Sequence, residues 1–150
     1  MLPSGDVQEF GPRGNVREWA LSPDGTQLAW AIRTDLSHSL LIMPVTGGAI
    51  RELTRLRAED DLGAPRIRNL RWASDGQKLL YVEVTPADAD PEYELWQVPA
   101  EGGAPARLDV PLNLGRFRFH PNGRSIVFWT QEQRNEIGLM EGFPWQDSGR

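Results

Sequence analysis

The sequence predicts an all-β protein assembled from repeats of one antiparallel, four-stranded unit. Three observations predict it. A turn segment recurs, as Ser22-Pro23-Asp24-Gly25, Ala73-Ser74-Asp75-Gly76 and His120-Pro121-Asn122-Gly123, with the glycines 51 and 47 residues apart. Apolar residues alternate with polar ones before each turn, at Trp19/Leu21, Leu70/Trp72 and Phe117/Phe119. Gly-Gly pairs at Gly47-Gly48 and Gly102-Gly103 separate a third strand from a fourth. Self-similarity at a fixed period of this length is the mark of a repeat architecture.

Each element follows from its residues. The segment "SGDVQEF" at 4–10 aligns with "GGAIREL" at 47–53 at a constant offset of 43, so it reads as a fourth strand that has lost its own unit. The first full unit spans 15–54, the second 67–109 and the third 115–142, with a tail at 143–150. Within a unit the first strand alternates with period 2, as a strand with two unlike faces does. Asp24-Gly25, Asp75-Gly76 and Asn122-Gly123 then form the structural turns. The short polar side chain bonds nearby backbone and Gly accepts positive φ. The strand after each turn is more continuously apolar (Leu28-Ala29-Trp30, Leu79-Leu80-Tyr81, Ile126-Val127-Phe128), as expected for a strand covered on both faces. Third strands are expected at 40–45, 95–100 and 136–141, and fourth strands at 49–53 and 104–108. The third unit lacks a fourth strand, and the segment at 4–10 supplies one. That exchange would join the two chain ends and leave no unpaired edge.

Four antiparallel strands in about 45–50 residues is the period of a propeller blade. At these residues the chain resembles the TolB-type, WD-like β-propeller repeat. Trp19 to Gly25, Gly47-Gly48 and Arg51 to Thr54 fit its pattern, while Ser74 replaces its proline and Asn122 its aspartate. The resemblance covers nearly the whole chain and implies a six-bladed ring. This chain has three blades, and natural rings use roughly 4–8. Two completions follow. Two copies related by a twofold make one six-bladed ring, or the chain is the C-terminal piece of a longer propeller. A whole number of blades favours the homodimer, which is also the commonest closed assembly.

Composition narrows the function. The hydrophobic fraction of 39% and charged fraction of 25% suit a globular domain with a modest core. The net charge of −5 argues against duplex nucleic acid as a partner. There is no cysteine, which removes thiolate metal sites and thiol catalysis. No apolar run reaches the roughly 18 residues of a membrane span. The first residues carry neither a basic region nor an apolar stretch and do not read as a signal peptide. The compartment stays open: the chain remains where it is made, or a leader has been removed.

Candidate chemistry is sparse. His38 reads as a solvated loop residue and His120 as a turn residue; two isolated histidines make no zinc site. Ser22, Asp24 and His120 are not a catalytic set, because Ser22 and Asp24 belong to the repeated turn and no nucleophile elbow is present. Similar propellers occur in prolyl-oligopeptidase-like enzymes, whose triad lies in a separate hydrolase domain. The acidic loops "AEDDLG" at 58–63 and "DADPEYE" at 88–94 lack the EF-hand spacing and read as solvated charge. No metal and no cofactor is expected. Of six tryptophans, Trp19, Trp30, Trp72, Trp96 and Trp129 sit at repeat positions and read as packing between blades, and Trp145 as closing the base.

Arginine is the informative residue. Arg17, Arg68, Arg71, Arg116 and Arg118 lie on or just before innermost strands, which line the axis of a propeller. Guanidinium forks there suit carboxylates or phosphates. The structural alternative is pairing with Glu18 and neighbouring blades. The expected function is a non-catalytic binding or scaffold module that meets a protein or peptide partner at the channel mouth or at rim loops 33–39, 55–66 and 85–93. Replacing Arg71 and Arg118 by alanine then weakens an acidic peptide if the channel is the site. The alternatives are a channel-sited, metal-dependent hydrolase or lyase, and a structural propeller fragment with no ligand.

Overall fold

The computed structural model describes residues 14–34, 36–58, 63–88, 91–110, 114–120, 125–131 and 135–140. The expected strand at 4–10, the tail at 143–150 with Trp145, and the turn Asn122-Gly123 lie outside them. The described residues form eleven strands in three sheets. The first sheet is β1 (Asn15–Leu21), β2 (Gln27–Arg33), β3 (Ser37–Pro44) and β4 (Arg51–Arg57), paired in that order. The second repeats it with β5 (Arg66–Trp72), β6 (Lys78–Thr85), β7 (Glu92–Pro99) and β8 (Ala106–Leu108). The third has β9 (Leu114–Phe119), β10 (Ile126–Gln131) and β11 (Asn135–Met140). Every pairing is antiparallel.

The first two turns are built alike, and the bond that closes them recurs between His120 and Ser125. The backbone N–H of Ser22 donates to the carbonyl of Gln27, that of Ala73 to Lys78, and that of His120 to Ser125, at 2.8–2.9 Å. Asp24 Oδ1 accepts from Ser22 Oγ, Thr26 N and Thr26 Oγ1 at 2.6–3.0 Å. Asp75 Oδ1 accepts from Gln77 N at 2.9 Å. These bonds hold the Asp24 carboxyl below its usual range, Ser22 contributing most. Ser22 is thus engaged in the turn. Gly25 sits at φ 72° with open space where a Cβ would point, so Gly25→Ala meets only backbone strain. It is expected to cost about 1–2 kcal/mol, read from the urea midpoint.

Every first strand carries a bulge at the equivalent place: between Val16 and Glu18, between Arg68 and Arg71, and opposite Trp129/Thr130 in β9. One extra residue brings positions three apart onto one side of the sheet. Ile67 and Leu70 therefore both enter the core between the first two sheets. In β5 the bulge holds Asn69 at φ 51°, a left-handed conformation that Asn tolerates better than most residues.

The core lies between sheets. Ala29, Ala31, Leu40 and Ile42 of the first sheet meet Ile67, Leu70, Trp72, Leu79 and Tyr81 of the second. On the far side of the second sheet, Leu80, Val82 and Leu95 meet Ile126 of the third. Polar bonds tie the first two sheets together. Trp72 Nε1 donates to the Ala20 carbonyl at 2.9 Å, and Arg51 donates to the carbonyls of Ala100 and Glu101, both at 2.9 Å.

The strands run longer than their residues suggested. β3 begins at Ser37 and β4 continues to Arg57, so the expected rim loops 33–39 and 55–66 lose their strand-forming parts. The loop expected at 85–93 likewise gives Thr85 to β6 and Glu92-Tyr93 to β7. His38 is consequently a buried strand residue, not a solvated loop residue. Trp30 and Trp72 are buried, but Trp19 is 66% exposed and packs between no described sheets.

Candidate functional site

The arginines singled out by the sequence lie on first strands: Arg17 on β1, Arg68 and Arg71 on β5, Arg116 and Arg118 on β9. β1 and β5 lie against each other. The described residues divide the set into two groups. Arg71 is half-buried, donates from Nη1 to the Leu70 carbonyl at 2.7 Å, and interacts with Arg118 and Glu18. Burial, then the like charge of Arg118, lowers its pKa, and Glu18 opposes this. The side chain of Arg116 lies outside the described residues.

The second group surrounds His38. Its Nδ1 accepts the backbone N–H of Ile67 at 3.3 Å, across the junction of the first two sheets. An acceptor at Nδ1 requires the neutral ring with its proton on Nε2, and Nε2 has no partner in the structure. Burial first, and then the charges of Arg33, Arg66, Arg17 and Arg68, push the His38 pKa down to about 4. The sequence reading missed this residue as a structural element and missed Arg33 and Arg66 as members of the cluster.

A cleft of about 500 Å³ opens beside this cluster. Glu18 of β1 and Arg66, Arg68 and Asn69 of β5 form its polar wall. Val82, Val84, Pro86, Pro91 and Tyr93, from β6, β7 and the segment between them, form its apolar wall. The ion pairs between described residues, Arg55–Glu52 at 2.6 Å and Arg107–Glu94 at 2.7 Å, lie on later strands of their sheets. Arg17, Arg33, Arg66 and Arg68 form none with a described residue. Among the described residues no three His, Asp or Glu side chains converge as metal ligands would. No described helix is long and apolar enough to cross a membrane.

No protein-family model matches the chain. No curated protein sequence matches it either. Solved structures do. The β-propeller domain of the Trilobed protease from Pyrococcus furiosus superposes with a TM-score of 0.60 at 11% identity, over 85% of this chain. A putative dipeptidyl aminopeptidase IV from Bacteroides ovatus gives 0.62 at 18% identity, over 89%. The C-terminal WD40 domain of Sif2 gives 0.53 at 18% identity, over 85%. The chain has a β-propeller fold. It spans only 39%, 26% and 34% of the length of those three chains, in the same order.

Proposed function

We propose that the chain is a non-catalytic β-propeller module of the TolB-type, WD-like repeat, half of a six-bladed ring that a second copy completes. We place recognition of an acidic protein or peptide near the arginines of its first strands. One observation carries the assembly. Ile137 on β11 occupies the repeat position of Leu40 and Leu95; those two are 0% exposed, whereas Ile137 is 79% exposed. At the other end, Val16, Trp19 and Leu21 are 48%, 66% and 51% exposed. Their equivalents Ile67, Leu70 and Trp72 are 0%, 0% and 7% exposed. The face open on the first sheet is thus the face that the second sheet packs on its neighbour. The face open on the third is its complement. A twofold puts each against the other twice, which suits the rule that large apolar patches are covered by partners.

Ile137→Lys tests the assembly. A charge in the contact counts twice in a twofold and is expected to weaken self-association by roughly 100-fold or more. Sedimentation velocity reads this directly, and unchanged sedimentation contradicts the proposed contact. The binding half is tested by titrating deca-glutamate and deca-lysine at matched ionic strength. The first is expected to bind and the second not, with affinity falling as salt rises. Equal behaviour of the two peptides removes an anionic partner.

A further inference from the structure

The geometry points to a more specific ligand, and the inference rests on the binding-module reading above: the cleft at the β1–β5 junction takes a peptide segment that presents a carboxylate beside an apolar side chain. Arg66 and Arg68 alternate along β5 and both line the cleft. Both are exposed and unpaired with any described carboxylate. A guanidinium fork matches the two oxygens of a carboxylate, and two such forks stand on this one strand. The opposite wall is apolar, with Tyr93 half-buried among Val84, Pro86 and Pro91. A ring and two prolines hold an apolar side chain at little entropic cost. Glu18 in the same cleft disfavours a phosphate dianion and leaves an acceptor for a peptide N–H. Acid, base and apolar wall together suit a peptide better than a small inorganic anion.

His38 is the positioning residue of this cleft. The backbone N–H it receives belongs to Ile67, the residue between Arg66 and Arg68. That bond fixes the start of β5 to β3, and so fixes where both guanidinium groups begin. The left-handed Asn69, next along the strand, lines the cleft as well.

The test uses three fluorescein-labelled pentapeptide amides, Gly-Asp-Phe-Glu-Gly, Gly-Asn-Phe-Gln-Gly and Gly-Asp-Gly-Glu-Gly, followed by anisotropy. The first is expected to bind at least roughly 10-fold tighter than either control. Arg66→Ala and Arg68→Ala are each expected to weaken it by roughly 10-fold with no change in thermal midpoint. His38→Ala is expected to weaken binding, and His38→Asn, which keeps an acceptor near the place of Nδ1, to recover most of it. Saturable binding that survives Arg66→Ala/Arg68→Ala but is lost in Arg71→Ala/Arg118→Ala overturns the cleft and leaves the binding module standing. Saturable binding of deca-glutamate with none of the first pentapeptide also overturns the cleft alone. Failure of every acidic peptide overturns both. Displacement of the pentapeptide by inorganic phosphate at comparable concentration reassigns the cleft to a small anion and contradicts the peptide.

Discussion

Trp72→Ala is expected to destabilise the protein by about 3–5 kcal/mol, the cost of deleting a large ring from a packed core. The ring fills the junction of the first two sheets, among Leu70, Leu79 and Tyr81 and against the far sheet's Ala29, Leu40 and Ile42. Its Nε1 also bonds the Ala20 carbonyl at 2.9 Å. Two losses therefore coincide: a void between sheets that backbone hydrogen bonds prevent from collapsing, and an acceptor left without its donor. Trp72→Phe separates them. It keeps much of the volume and removes the N–H, so about 1–2 kcal/mol of the total is expected to remain. Urea denaturation of both variants at one fixed protein concentration checks this, since self-association would otherwise shift the midpoint. A loss below about 1 kcal/mol for Trp72→Ala contradicts the claim that contacts between sheets, more than pairing within them, hold the fold.

The second large effect is a pH dependence centred on His38. Its folded pKa, about 4, lies below the ordinary value of 6.5. Above pH 6.5 the ring is neutral in both folded and unfolded chains, and its contribution is fully present. As pH falls from 6.5 towards 4 the unfolded chain binds a proton that the folded chain refuses, so stability is lost across that window. Below 4 both states are protonated and the loss stops growing. The total is about 3 kcal/mol. Protonation at Nδ1 removes the acceptor for Ile67 and adds a cation beside Arg33, Arg66, Arg17 and Arg68. His38→Asn should lack the pH 4–6.5 component while retaining losses from carboxylates such as Asp24 and Glu52, whose pKa values are lowered and which act at more acid pH. Superimposable pH profiles for the two proteins contradict the assignment.

Much of the fold was legible because its signals are local and repeated. Asp24-Gly25 and Asp75-Gly76 announced turns through bonds that span two residues. The strands flanking them carried period-2 alternation that a sheet requires. The bulge was harder to read. Val16 and Trp19, Ile67 and Leu70, and Leu114 and Phe117 are three apart, a spacing foreign to a regular strand. Its recurrence in all three units was the available signal.

The site was less legible, because it depends on contacts between residues far apart in the chain. Nothing local to "TDLSHSL" says that His38 will be buried against Ile67 in another sheet. The serines around it, Ser37 and Ser39, are buried too, and their polarity disguised a core strand as a loop. The arginine pattern was visible, but its division into a group around Arg71 and a group around His38 was not. Arg66 stood outside the arginine pattern of the first strands, yet it begins β5 and lines the cleft. Trp19 failed for a different reason. It holds a packing position of the repeat, but it is 66% exposed and no described sheet packs over it.

If the open faces of the first and third sheets belong against each other in a second copy, the protein is a dimer in solution. Mass in solution, by light scattering coupled to size exclusion, tests it most directly. A single species at twice 16.9 kDa that persists on dilution is expected. A monodisperse species at 16.9 kDa would contradict it.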